Sequence, residues 1–218
     1  MSYELTRARV ETYFDRTATR TWEALTSDAP VSRIRETVRK GRDEMRARML
    51  SALPADLRGA RVLDAGCGAG QMTAELAERG AEVVAVDISP ELLKVAARRL
   101  PDHLQGRVTF RAGDMLDPGH GTFDAVFAMD SLIYYSPADI DAALSCLSSR
   151  SEKTIFTVAP RTLPLMAMWY TGKLFPRSDR SPVMVPHAPE RLIARHNGRD
   201  LGRVSSGFYI SHAMEVRA

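Results

Sequence analysis

Asp64 closes an apolar run, and Gly66, Gly68 and Gly70 follow at alternate positions in RVLDAGCGAG, residues 61–70. Three positions without side chains let a backbone turn sharply and let a ligand approach it closely. Asp87 ends a second apolar run, EVVAVD, at the separation of about 20 residues from which an acid reaches a ribose hydroxyl. Asp114 and Met115, in AGDM, end a third. There the carboxylate can accept from an adenine amino group while the thioether packs on the ring.

The spacing excludes two common ligands. A dinucleotide turn needs G-x-G-x-x-G, whereas here the third glycine comes one residue early and Gln71 follows it. No Gly-Lys-Ser/Thr completes a phosphate loop. An acid directly before the turn repels a pyrophosphate and suits a cation. S-adenosylmethionine, with a sulfonium, an ammonium and no phosphate, fits three acids at three strand ends. A generic tight turn or a nicotinamide fold stays open as a reading of the glycines alone.

These residues need elements to place them. RVLDAG, EVVAVD, RVTFRAGD, FDAVFAMD and KTIFTVAP read as five strands, apolar on both faces. MTAELAERG reads as a helix closed by Gly80. SPELLKVAARRL and SPADIDAALSCL are helices with Ser89 and Ser136 as caps and prolines at their first positions. Such alternation predicts an α/β fold with a mostly parallel sheet. RDLGRVSSGFYISHAMEVRA predicts a C-terminal antiparallel hairpin. Residues 1–58 read as an N-terminal helical arm or lid on a domain spanning 59–218. Within the arm, Ile34, Val38, Met45, Met49 and Leu53 recur at helical spacing, with arginines opposite. Residues 160–189, rich in proline with LMAMWY between basic residues, read as an insertion covering the site.

Composition narrows the setting. A chain of 218 residues, 44% hydrophobic, supports one domain with a real core. No apolar run is long enough to span a bilayer, and the polar N-terminus lacks a secretory signal, so a cytoplasmic protein is expected. Cys67 and Cys146 offer no disulfide framework, and His103, His120, His187, His196 and His212 are scattered, so no protein-bound metal is expected. The net charge of +3 divides into +3 over residues 1–60, −5 over 61–160 and +5 over 161–218. The basic ends hint at an anionic partner, though most surface arginines are simply solvated, and no nucleic acid is expected.

VLDAGCGAG, VVAVDIS, AGDM and FDAVFAMDSLIYY together resemble the class I S-adenosylmethionine-dependent methyltransferases. The flanks VETYFDRTATRTWEAL and VAPRTLPLMAMWYTGKLFPRSDRSP, with AMDSLIYY, look like the magnesium-protoporphyrin IX O-methyltransferases of bacteriochlorophyll synthesis. The resemblance implies a Rossmann-like fold. It implies a cofactor set of Asp64, Ala65, Gly66, Cys67, Gly68, Gly70, Asp87, Ile88, Asp114, Met115, Met129 and Asp130. It implies methyl transfer from S-adenosylmethionine to one propionate of a magnesium porphyrin, and contact with the magnesium chelatase that makes that porphyrin. Tyr13 matches a family tyrosine that places the acceptor. Tyr134 stands where the family has a histidine, and a tyrosine is a donor rather than a base near neutral pH. A flat apolar macrocycle with anionic tails suggests Met166, Met168, Trp169 and Tyr170 as its wall, and Arg161, Lys173, Arg177 and Arg180 as its edge. Weak peripheral attachment to the inner membrane is compatible with poorly soluble pigments. Rival readings are a class I enzyme acting on a quinone or metabolite hydroxyl, and a non-catalytic S-adenosylmethionine-binding module.

Overall fold

Strands apolar on both faces are covered only between two helix layers, and that is their arrangement here. The computed structural model describes residues 3–15, 23, 32–163, 165–166 and 182–217. Helix α1 spans Tyr3–Tyr13 and α2 spans Arg33–Leu50. There follow β1 (Arg61–Ala65), α3 (Gln71–Glu78), β2 (Glu82–Asp87), α4 (Pro90–Arg99), β3 (Val108–Ala112) and β4 (Phe123–Ala128). Then come α5 (Pro137–Ser148), β5 (Ser151–Val158), α6 (Pro189–Arg195), β6 (Arg199–Ser206) and β7 (Tyr209–Arg217). The sheet order is β3-β2-β1-β4-β5-β7-β6. The first five strands run parallel, and β7 runs antiparallel to both β5 and β6.

Successive residues of each strand serve opposite layers. Val62, Val83, Ala85 and Phe127 pack with Leu76 of α3 and with Met45 and Met49 of α2. Leu63, Val84, Val126 and Phe156 pack with Ile140 and Leu144 of α5 and Leu192 of α6. The serine caps form as expected: Ser89 accepts from Leu92 N–H and Ser136 from Asp139 N–H, the latter in a reciprocal capping box.

Two expectations change, at β3 and at Ile34. β3 has one covered edge and stays half exposed, with Thr109 and Arg111 in solvent, because it ends the sheet. Helix α2 lies on the domain with Met45, Met49 and Leu50 fully buried in the common core. Ile34, in its first turn, instead points to solvent at 55% exposure. Of the expected insertion, only the ends are described. They are tied together, with Arg161 N–H bonded to His187 O at 2.7 Å and His187 N–H to Ala159 O at 2.8 Å. No helix among the described residues is long and apolar enough to cross a membrane.

Helix α2 lies so close to β7 that a Cβ at Gly41 would stand 2.6 Å from the Tyr209 ring. Gly41→Val is therefore expected to destabilise the protein by about 2 kcal/mol despite its better helix former, read as a lower midpoint in urea unfolding.

Candidate functional site

In an open parallel sheet, ligands sit beyond the carboxyl ends of the strands where strand order reverses. Here β1 continues to β2 on one side and neighbours β4 on the other. A cleft of about 1020 Å³, its open mouth included, lies at that point. Asp64, Asp87, Asp114 and Asp130, which follow or end β1 to β4, all line it.

Each acid has its own compensation. Asp64 is 2% exposed and accepts from Thr73 Oγ1 at 2.6 Å. Burial pushes its carboxyl up to about 7, with the charge of Asp87 adding to the rise and the Thr73 hydrogen bond opposing it. Asp87 accepts from Gly68 N–H at 2.8 Å and from Ser89 N–H at 2.9 Å, so it fixes the glycine turn to the end of β2. Burial raises its carboxyl too, against those backbone hydrogen bonds. Asp114 accepts from Tyr3 OH at 2.6 Å, Leu116 N–H at 2.9 Å and Arg7 Nη1 at 2.8 Å. Burial would raise it, but these donors and the Arg7 charge outweigh burial and hold it below the usual carboxylate range. Asp130 adopts a left-handed φ of 55°. It pairs with Arg42 Nη1 at 2.5 Å and accepts from Thr157 Oγ1, Tyr209 OH and Ser211 Oγ at 3.1–3.2 Å.

The turn has the shape expected of it. Gly66, Gly68 and Gly70 all have positive φ, and a Cβ on Gly68 would meet nothing within 4 Å, so the backbone at Gly68 is open towards the cleft. Ser131 Oγ, also in the lining, is buried without a hydrogen-bond partner. An orphaned hydroxyl beside bare backbone and buried acids fits a polar, cationic ligand. Cys67 is buried, and burial first, then Asp87 and Asp64, drives its thiol far up, which makes it inert.

Ile88, Met115 and Met129 line the cleft as expected. Ala65 and Gly70 do not, because Ala65 is fully buried in the sheet and Gly70 abuts Ala96 of α4. Asp130 is engaged by the protein's own donors, which leaves its carboxylate as a tie between α2, β5 and β7. Tyr134 lines the cleft, 6.1 Å from the Phe14 ring in an edge contact. Its hydroxyl is raised by burial, then by Asp130 and Tyr13, with Arg42 opposing, so it stays protonated. Tyr13 packs edge-on behind Phe14, and it is Phe14 that reaches the lining. Arg161 is exposed, donates Nε to Pro186 O at 3.2 Å, and lies outside this cleft. Met166 is half-buried and also outside it, while Met168, Trp169, Tyr170, Lys173, Arg177 and Arg180 lie outside the described residues.

The sequence reading missed Tyr3, Arg7 and Val10 of α1 and Phe14 just after it, which wall the cleft. Their spacing of 4, 3 and 4 residues is helical and was there to be read. It also missed Arg42 and Arg46, which had passed as solvated arginines.

Two family models match the chain: "Methyltransferase domain" over residues 62–151 and "Magnesium-protoporphyrin IX methyltransferase C-terminus" over residues 128–218. The magnesium-protoporphyrin O-methyltransferase of Rhodobacter capsulatus is 60% identical across 99% of this chain and 98% of its own length. The chain belongs to the magnesium-protoporphyrin O-methyltransferase family. The family member of Synechocystis sp. is 32% identical over 95% of the chain and 94% of its own length. The crystal structure of magnesium protoporphyrin IX methyltransferase from Synechocystis with bound SAH superimposes with a TM-score of 0.81 at 29% identity, covering 97% of this chain and all of that one. The expected fold class, with its parallel sheet and terminal hairpin, is the one found.

Asp64 keeps its proton in the folded protein up to about pH 7, whereas the unfolded chain releases it near 3.8. Its contribution to stability therefore falls as pH rises between those values. Asp64→Asn removes that fall. Its unfolding free energy, measured by urea titration without ligand, should gain on the parent's between about pH 4 and pH 7 and level off above that.

Proposed function

We propose that this protein transfers a methyl group from S-adenosylmethionine to one propionate carboxylate of magnesium protoporphyrin IX, giving the monomethyl ester and S-adenosylhomocysteine. The observation that carries the cofactor reading is the head of β1, where buried carboxylates meet a glycine turn whose backbone is open at Gly68. The acceptor reading is supported by full-length likeness to the Rhodobacter capsulatus magnesium-protoporphyrin O-methyltransferase.

Asp64 would receive the amino-acid ammonium, and the arriving positive charge draws its carboxyl into the ionised form. Asp87 retains lone pairs beyond those held by Gly68 and Ser89, and these suit ribose hydroxyls. Met115 and Ile88 flank the place of the adenine ring. Asp114 Oδ2, occupied by Arg7, has room for one more donor. Bound in this way, S-adenosylmethionine supplies an electrophilic methyl carbon on a sulfonium.

The acceptor is a carboxylate and is ionised near neutral pH, so no base has to deprotonate it. Its oxygen attacks the methyl carbon in line, the C–O bond forms as the C–S bond breaks, and the electron pair stays on sulfur. Opposite charges vanish in this step, which a water-poor cleft favours. Alignment is then the main task of the protein. Tyr134, kept protonated by burial, donates to the acceptor carboxylate and holds it in place. Among the described residues no histidine lines the cleft. Magnesium arrives as part of the substrate, and no cluster of three or more metal-ligating side chains occurs among the described residues. Hand-over from the magnesium chelatase and loose attachment to the membrane belong to the same reading, on the strength of the sequence resemblance.

Release of S-adenosylhomocysteine is expected with magnesium protoporphyrin and not with a catechol; turnover with the catechol alone would overturn the acceptor. Tyr134→Phe should lower kcat by about 10- to 100-fold, one hydrogen bond to a charged group, with the KM for S-adenosylmethionine unchanged. Asp87→Ala should weaken S-adenosylmethionine binding by about tenfold or more in calorimetry, with the fold intact by circular dichroism.

A further inference from the structure

The heads of β1 and β4 lie side by side, since Asp64 pairs with Phe127 in the sheet register. Just above that rung the chain leaving β4 turns sharply. Asp130 takes its left-handed φ of 55° there, with its N–H held by Thr157 Oγ1 at 2.7 Å. The turn sets Ser131 directly against the glycine turn. A Cβ on Gly66 would stand 2.4 Å from Ser131 Cβ and 3.2 Å from its Oγ. Gly66 and Ser131 both line the cleft.

Ser131 Oγ is buried and has no hydrogen-bond partner. A buried hydroxyl left without a partner costs free energy. Alanine would pack against Gly66 through the same Cβ and carry no such cost. A ligand that brings a partner to the hydroxyl recovers what the empty cleft forgoes.

The surroundings define that partner. On the placement proposed above, adenine lies by Asp114 at the head of β3 and the ribose by Asp87 at the head of β2. The order β3-β2-β1-β4 then leaves the heads of β1 and β4 for the remainder of the cofactor, its sulfonium and amino-acid end. Of the two acids at these heads, Asp130 is answered by Arg42, whereas Asp64 is met by the neutral Thr73. The local field therefore favours a cation over a carboxylate. An ammonium carries three N–H donors, and one carboxylate does not satisfy all of them. A hydroxyl oxygen beside Gly66 supplies a further acceptor without adding charge. We infer that Ser131 Oγ accepts from the ammonium of S-adenosylmethionine, sharing it with Asp64, and is thus a binding residue for the amino-acid end of the cofactor. This rests on the cofactor placement above.

The test is calorimetry with three ligands that cannot turn over. S-adenosylhomocysteine has the whole amino-acid end. Its decarboxylated analogue keeps the ammonium alone. Methylthioadenosine has neither group. Ser131→Ala should bind the first two about tenfold more weakly than the parent does, as loss of one hydrogen bond to a charged group provides, and methylthioadenosine within about twofold. Without ligand its urea midpoint should equal or exceed the parent's, because no hydrogen bond of the free protein is lost. Unchanged affinity for S-adenosylhomocysteine overturns the inference. So does an equal loss with all three ligands, which marks a packing residue, or parent-like affinity for the decarboxylated analogue, which assigns the hydroxyl to the carboxylate. Each of these leaves the cofactor placement standing. If Asp87→Ala also binds S-adenosylhomocysteine as the parent does, the placement falls and the inference with it.

Discussion

Negative charge cannot be left alone in a buried place, and four strands in a row here end in or run on to an aspartate. Asp64 answers by keeping its proton beside Thr73. Asp87 answers with two backbone amides. Asp114 and Asp130 have too few local donors, and the chain before and after the sheet brings them. Tyr3 and Arg7 reach Asp114 from α1, Arg42 reaches Asp130 from α2, and Tyr209 and Ser211 reach it from β7. The acids thus set the position of the segments that wall the cleft.

The same arrangement explains why the site is suited to a cation although guanidinium groups line it. Arg7 is held by Asp114, Arg42 by Asp130, and Arg46 by Glu75 and Asp43. Asp64 and Asp87, next to the bare turn at Gly68, have no cationic side chain among the donors named above. An incoming positive group meets its unmatched counterpart there.

Much of this was legible in the sequence. The Ser-Pro helix starts at Ser89 and Ser136, the glycine turn and the acids at strand ends are local signals, and each is fixed by a few neighbouring residues. What was illegible depended on distance along the chain. Asp130 lies 88 residues from Arg42 and 79 from Tyr209, so nothing near it announced that its carboxylate would be occupied. Arg42 and Arg46 looked like a solvated face because Gly41 and the methionines beyond gave no hint of how closely α2 would lie on β7. The edge position of β3 is likewise a property of strand order, which composition does not encode. Arg161 was assigned to a substrate edge by its charge alone; its place was decided by the backbone pairing of the chain with His187.

Helix α1 rests over the cleft on Asp114, through Tyr3 and Arg7, and on the Tyr135 ring, with Tyr3 stacked at 5.0 Å between centroids, while Asp15 just beyond it accepts from Ser89 Oγ and Glu91 N–H. Val10 and Phe14 complete that wall. A helix of 11 residues is marginal in water by itself, so the shape of this wall is borrowed from the groups on which it rests.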